Sequence, residues 1–178
     1  MTETVSDYTY FRSCIKSGDT IAIKSKSIFG KGIRLLTGDQ YSHVGIAFWE
    51  GTRLLLAEMD GVKNVIVPLS QYDDVALAIY RAPIELPADI ESVIWDTLGV
   101  EKHYSWVDIL KVFVSYVLSG GATMPKTSND TEICTEFNME FYRKLGWVNT
   151  FNGYAVTPGL LCKQLGDPII QFVPIQHK

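Results

Sequence analysis

The nine residues Tyr41-Ser42-His43-Val44-Gly45-Ile46-Ala47-Phe48-Trp49 place a lone histidine in an apolar run of strand length. A second such run, residues 53–59, follows after only Glu50, Gly51 and Thr52. A link that short pairs the two runs as an antiparallel hairpin. Alternation groups His43, Gly45, Ala47 and Trp49 on one face of the first strand, and Leu54, Leu56 and Glu58 on one face of the second. A two-residue turn at Glu50-Gly51 sets Glu58 directly across from His43. The same turn one step later, at Gly51-Thr52, keeps both on one face but displaces the pairing by two residues, and a three-residue loop separates the faces. Burying a histidine among Val44, Gly45 and Ile46 is costly without a polar partner, so the short-turn geometries predict a His43–Glu58 pair. The alternative is a core histidine satisfied by backbone, with Glu58 a strand-end charge in water. Gly45 leaves space where another group can approach.

Around this hairpin the chain divides simply. Residues 1–16 form a polar lead-in with a short helix over 8–15, and residues 17–178 form one domain. Ser17-Gly18-Asp19 is a turn opening a strand over 20–24, and residues 26–36 form a short helix closed by Thr37-Gly38. Strands over 62–67 and 75–80, joined to the hairpin by short turns, predict a four-stranded antiparallel meander. The second half is helical: residues 88–98, a buried helix over 105–118, a polar loop over 123–130, and a helix over 131–145. In the last of these Ile133, Phe137, Phe141 and Leu145 share one face. A short helix opens at Pro158, and residues 168–174 read as a final strand. There is no internal repeat. Strands first and helices flanking them define an α+β class.

Composition excludes several functions. The net charge of −4, with lysine and arginine scattered, offers no nucleic-acid patch. The apolar stretch over 106–118 is shorter than the ~20 residues needed to span a bilayer, so no transmembrane segment is expected. The polar, acidic start has no signal-peptide pattern, and the expected location is cytoplasmic. Three widely spaced cysteines without a CxxC pair argue against a disulfide framework and against a metal site. No cofactor is expected.

Cys134 stands apart from the other two. Asn129, Asp130 and Thr131 are all suitable N-caps, so Cys134 falls in the first turn of its helix. There the open N–H groups and the helix dipole favour the thiolate, lowering its pKa by one to several units from about 8.5. A backbone N–H at the same helix end could also bind an oxyanion. The alternative is a small buried hydrophobe on an amphipathic helix. Cys14, in the lead-in, and Cys162, mid-helix, lack this setting. Of the other histidines, His103 sits in a helix entry and His177 is penultimate, which leaves His43 as the base held in a rigid element.

The segments Ser17-Gly18-Asp19, Thr37-Gly38 and Tyr41-Ser42-His43-Val44-Gly45-Ile46 resemble the first half of the circularly permuted NlpC-type papain-like proteins. Glu58, Gly61-Val62, Cys134-Thr135-Glu136-Phe137 and Thr157-Pro158-Gly159-Leu160 continue the likeness in the same order, over roughly residues 17 to 167. Histidine before cysteine is the mark of the permuted group. The resemblance implies an antiparallel sheet packed against helices, with the catalytic cysteine at a helix N-terminus. It also implies a triad of Cys134 as nucleophile, His43 as base and Glu58 as the orienting carboxylate. Tyr41 and Tyr104 are the polar aromatics available to line the cleft or support an oxyanion.

Relatives in that family act on cell-wall peptides, lipid esters and acyl groups, so the implied partner is a peptide, amide or lipid-ester substrate. The expected activity is a cysteine hydrolase cleaving an amide or ester through a thioester. The polar loop before Cys134, short of aromatics, favours a peptide or amide over a long acyl chain. The alternatives are an acyltransferase using the same thioester, and a non-catalytic binding module of the same fold. The absence of a spanning helix or a basic amphipathic stretch places hydrolysis ahead of membrane acyl transfer. Oligomeric state is not legible in the sequence.

Overall fold

Among the described residues, short turns and alternating apolar residues produce a seven-stranded mixed sheet with helices on both faces, an α+β architecture. The structure, a computed structural model, describes residues 2–60, 63–99, 134–147 and 157–175, and of Ile28, Phe29, Ile33, Leu36 and Cys134 the backbone only. Its elements are β1 (Glu3–Val5), α1 (Tyr8–Ser13), β2 (Thr20–Lys24), α2 (Ile28–Thr37), β3 (His43–Glu50), β4 (Arg53–Met59) and β5 (Asn64–Pro68). A 3-10 turn (Leu69–Tyr72) leads to β6 (Ala76–Tyr80). Then come α3 (Ile90–Leu98), α4 (Cys134–Lys144), α5 (Pro158–Leu165) and β7 (Ile170–Phe172). The expected helix over 105–118 and the loop over 123–130 lie outside the described residues.

The strand order is β1-β7-β6-β2-β3-β4-β5, antiparallel except for the β1–β7 pair. This corrects the four-stranded meander. β3, β4 and β5 do meander, but β6 leaves them and pairs with β2 on the other side. The physical reason lies in β6 itself. Leu77, Ala78, Ile79 and Tyr80 are apolar on both faces and all buried, which suits a slot between two strands and not an edge beside half-exposed β5. The lead-in also joins the sheet. β1 pairs with β7, and Phe11 of α1 is buried against Phe172, with Asp7 capping the helix through the N–H groups of Thr9 and Tyr10.

Two cores follow from the two faces. Beneath α1 lie Ile21, Ile23, Ala47, Leu56, Leu77 and Ile79. On the other face α3, α4 and α5 cover Val44, Ile46, Phe48 and Ala57. α4 presents Phe137 and Phe141 to that core as their i, i+4 spacing requires, each burial contributing about 1.5–3 kcal/mol. A buried polar contact sets its place on the sheet: Thr20 Oγ1 on β2 lies 2.6 Å from the Tyr142 hydroxyl and 3.3 Å from Asn138 Oδ1.

Candidate active site

His43 is the first residue of β3, paired with Ile23 of β2, and several contacts fix the chain that delivers it there. The Ser42 N–H donates to the Ile23 carbonyl at 3.0 Å. The Ser42 hydroxyl accepts from the Ser25 N–H and from Arg34 Nη1, each at 3.2 Å. Arg34 belongs to α2, so that helix is braced directly onto the residue before His43. Just upstream, the Asp39 carboxylate lies so close to Gly159 that a Cβ there would sit 2.1 Å from Oδ1. The second residue of α5 has to be glycine for the loop before β3 to pack against it.

The hairpin turns at Gly51-Thr52, with Glu50 opposite Arg53 and Ile46 opposite Ala57. Of the geometries open in the sequence, this is the displaced one. Gly51 takes φ 60°, the left-handed value that a turn of this kind asks of its first residue. Continuing the register one step sets Glu58 across from Gly45, and His43 on the diagonal. Diagonal neighbours stand ~7–8 Å apart at Cα, within reach of two long side chains. The pair closes: His43 Nε2 lies 2.7 Å from Glu58 Oε2, with Glu58 2% exposed and the His43 side chain 20% exposed. Gly45 is required by what covers it, since a Cβ there would stand 2.9 Å from both the Ala57 carbonyl oxygen and Leu56 Cγ.

The sequence gives no hint of the third member of this group. Tyr72, at the end of the 3-10 turn, donates its hydroxyl to Glu58 Oε1 at 2.7 Å. Both carboxylate oxygens are therefore engaged, one by a phenol and one by an imidazole. A carboxylate accepts and does not donate, so Nε2 carries the His43 proton in this pairing. Chemically, such a pair is an oriented base: the carboxylate holds the ring, and Nδ1 is the nitrogen positioned to exchange a proton.

The remaining candidates fall as follows. Cys134 opens α4 among the described residues, but its side chain lies outside them. By strand alternation His43 and Glu58 are on the α1 face of the sheet and α4 is on the other, with His43 at the end of β3. Tyr104 lies outside the described residues.

Tyr41 is 3% exposed in the helix-covered core, its ring edge-on to Tyr80, its hydroxyl bonded to that of Tyr80 and close to Cys162. Its ring packs in the core beneath the helices. Burial, with the nearby Cys162, pushes its pKa from 10.0 up to about 12, against the Tyr80 hydrogen bond, which lowers it. A folded value above the unfolded one means that this contribution to stability is complete below pH 10. It is lost as pH rises through about 12. Tyr41→Phe, which keeps the ring, is expected to raise the midpoint of alkaline unfolding; an unchanged midpoint would show that Tyr41 does not report on that transition.

No described helix is long and apolar enough to cross a membrane. No family model matches the chain, and the comparison with curated proteins found no match. Among solved structures the chain is similar to the metalloprotein yiiX of Escherichia coli O157:H7, assigned to DUF1105. The TM-score is 0.54 at 20% sequence identity, covering 89% of this chain and 88% of that one. A likeness at that identity speaks to the fold, not to the chemistry carried on it.

Proposed function

We propose that this chain is a thiol hydrolase of the circularly permuted papain-like type, acting on an amide or ester. Cys134 is the nucleophile, His43 the general base and acid, and Glu58 the residue that orients the imidazole. The observation that carries the reading is the 2.7 Å pairing of His43 Nε2 with buried Glu58, because a base needs its tautomer and direction fixed before it can serve a nucleophile.

The chemistry balances with these residues alone. Cys134 Sγ attacks the carbonyl carbon and its proton passes to His43 Nδ1. The tetrahedral intermediate collapses as that proton is given to the leaving amine or alcohol, which departs and leaves a thioester on Cys134. Water, deprotonated by His43, attacks the thioester and releases the acid, and the proton returns to the thiolate. Glu58 stabilises the imidazolium in both steps without taking its proton. The similar yiiX structure is described as a metalloprotein. Among the described residues, no group of three or more histidine, cysteine, aspartate or glutamate side chains could hold a metal, so no step is assigned to one.

An activated acetyl ester tests the assignment without knowledge of the natural substrate. Brief exposure followed by peptide mapping is expected to place one acetyl group on Cys134, decaying with time in water. Faster decay in the presence of an amine, with acetyl-amine formed, would mark the enzyme as an acyltransferase. Acetylation no greater at Cys134 than at Cys14 and Cys162 would refute the hydrolase reading.

A further inference from the structure

Glu58 is held from two sides, and the second side decides which way the first one points. We propose that Tyr72 is a positioning residue for His43. By donating to Oε1 of Glu58, its hydroxyl fixes the orientation of that side chain and aims Oε2 at His43 Nε2–H, holding the ring in place while the accepting carboxylate sets the tautomer that offers Nδ1 to the thiol. The catalytic meaning of that tautomer rests on the hydrolase reading above, whereas the three-residue geometry does not.

The two hydrogen bonds are equally short, 2.7 Å each, and arrive on different oxygens of a buried carboxylate. Tyr72 is itself anchored. It ends a 3-10 turn that starts at fully buried Leu69 and follows directly on β5, which pairs with the strand bearing Glu58. Burial first, and then the neighbouring charges of Glu58 and Asp60, push the Tyr72 phenol well above its ordinary range. The hydroxyl is therefore protonated near neutral pH and acts as a donor. A donor on one carboxylate oxygen does more than add a bond, because it breaks the symmetry between the two oxygens.

That asymmetry yields a test in which a structural role and a positioning role give different results. In Glu58→Gln the side chain has one accepting oxygen and one donating nitrogen. If Tyr72 dictates the orientation, the amide oxygen faces the phenol and the amide NH2 faces His43 Nε2. Nε2 must then accept, and the ring adopts the Nδ1–H tautomer. Removing the hydroxyl as well, in Glu58→Gln with Tyr72→Phe, lets the amide turn over, and the Nε2–H tautomer returns.

The experiment is 15N NMR of the His43 imidazole in the full chain, assigned by loss of its signals in His43→Ala, with Cys134 alkylation measured on the same samples. The expected pattern is Nε2–H in wild type and in Tyr72→Phe, where the carboxylate still only accepts, Nδ1–H in Glu58→Gln, and recovery of Nε2–H in the double variant. Alkylation of Cys134 in Tyr72→Phe, measured near pH 5.5, is expected to slow by about two- to threefold, short of the loss caused by removing the imidazole altogether. The same tautomer in Glu58→Gln with and without the Tyr72 hydroxyl would overturn the proposal. If Tyr72→Phe does not fold, Glu58→Gln still decides, since Nε2–H in that variant contradicts it. A full tautomer pattern beside an inert wild-type Cys134 supports the role of Tyr72 and sinks the hydrolase reading alone.

Discussion

Asp19→Ala is expected to lower folding stability by about 3–5 kcal/mol, a large part of the total for a domain of this size. Asp19 is fully buried, and Arg81 reaches it with two bonds, Nε to Oδ1 at 2.7 Å and Nη2 to Oδ2 at 2.8 Å. The Lys16 N–H also donates to Oδ2, at 2.7 Å. Truncation leaves a partly buried guanidinium, bonded only to the Cys14 carbonyl at 3.3 Å, and a backbone donor without their carboxylate, and that loss of partner sets the size of the effect. Asp19 also stands where β2 begins. Its carbonyl accepts from the Ala47 N–H, and the Gly18 N–H donates to the Ala47 carbonyl, both at 2.8 Å, so the clasp secures the strand beside β3. Denaturant titration of the single variant and of Asp19→Ala with Arg81→Met reads the effect. The double variant, which removes both charges, is expected to recover part of the loss. A cost below about 1 kcal/mol for the single variant would place this pair with ordinary exposed ion pairs.

The second large effect concerns Cys134. If His43 pairs with it, the thiol titrates about two units below its ordinary value of about 8.5. Two opposing terms then fix what an alkylation rate can show. At about pH 7 a two-unit shift raises the thiolate fraction roughly 25-fold. The lower basicity makes that thiolate intrinsically slower by about six- to tenfold, however, which leaves only a few-fold gain. Below both pKa values the fraction differs by roughly a hundredfold, and the net gain grows to about tenfold. Removing the imidazole in His43→Ala is therefore expected to slow alkylation about tenfold near pH 5.5 and far less at neutral pH.

The bounds of β2, β4 and α5 are legible in the sequence because glycine, proline and a Thr157 N-cap punctuate them locally. The His43–Glu58 pair is legible for the same reason. It follows from a turn of two residues and a period of two, whichever of the two registers applies. What the sequence leaves open depends on contacts between distant residues. Nothing in residues 76–80 says that they pair with β2, beyond their being apolar on both faces. Nothing in residues 3–5 says that they find β7. Tyr72 reaches Glu58 only because a 3-10 turn follows β5, and a tyrosine in a connecting segment carries no local sign of that. The contact of Asp39 with Gly159 joins a loop to a helix start 120 residues further on, and neither carries a local sign of the other.

The most direct measurement is the pH profile of Cys134 alkylation, followed by peptide mass with Cys14 and Cys162 as internal references, in wild type and in His43→Ala. An oriented His43 serving Cys134 gives a midpoint well below about 8.5 that moves up to that value when the imidazole is removed. A wild-type midpoint at or above about 8.5, unchanged in His43→Ala, would contradict the triad and leave His43, Glu58 and Tyr72 as a buried polar cluster of the fold.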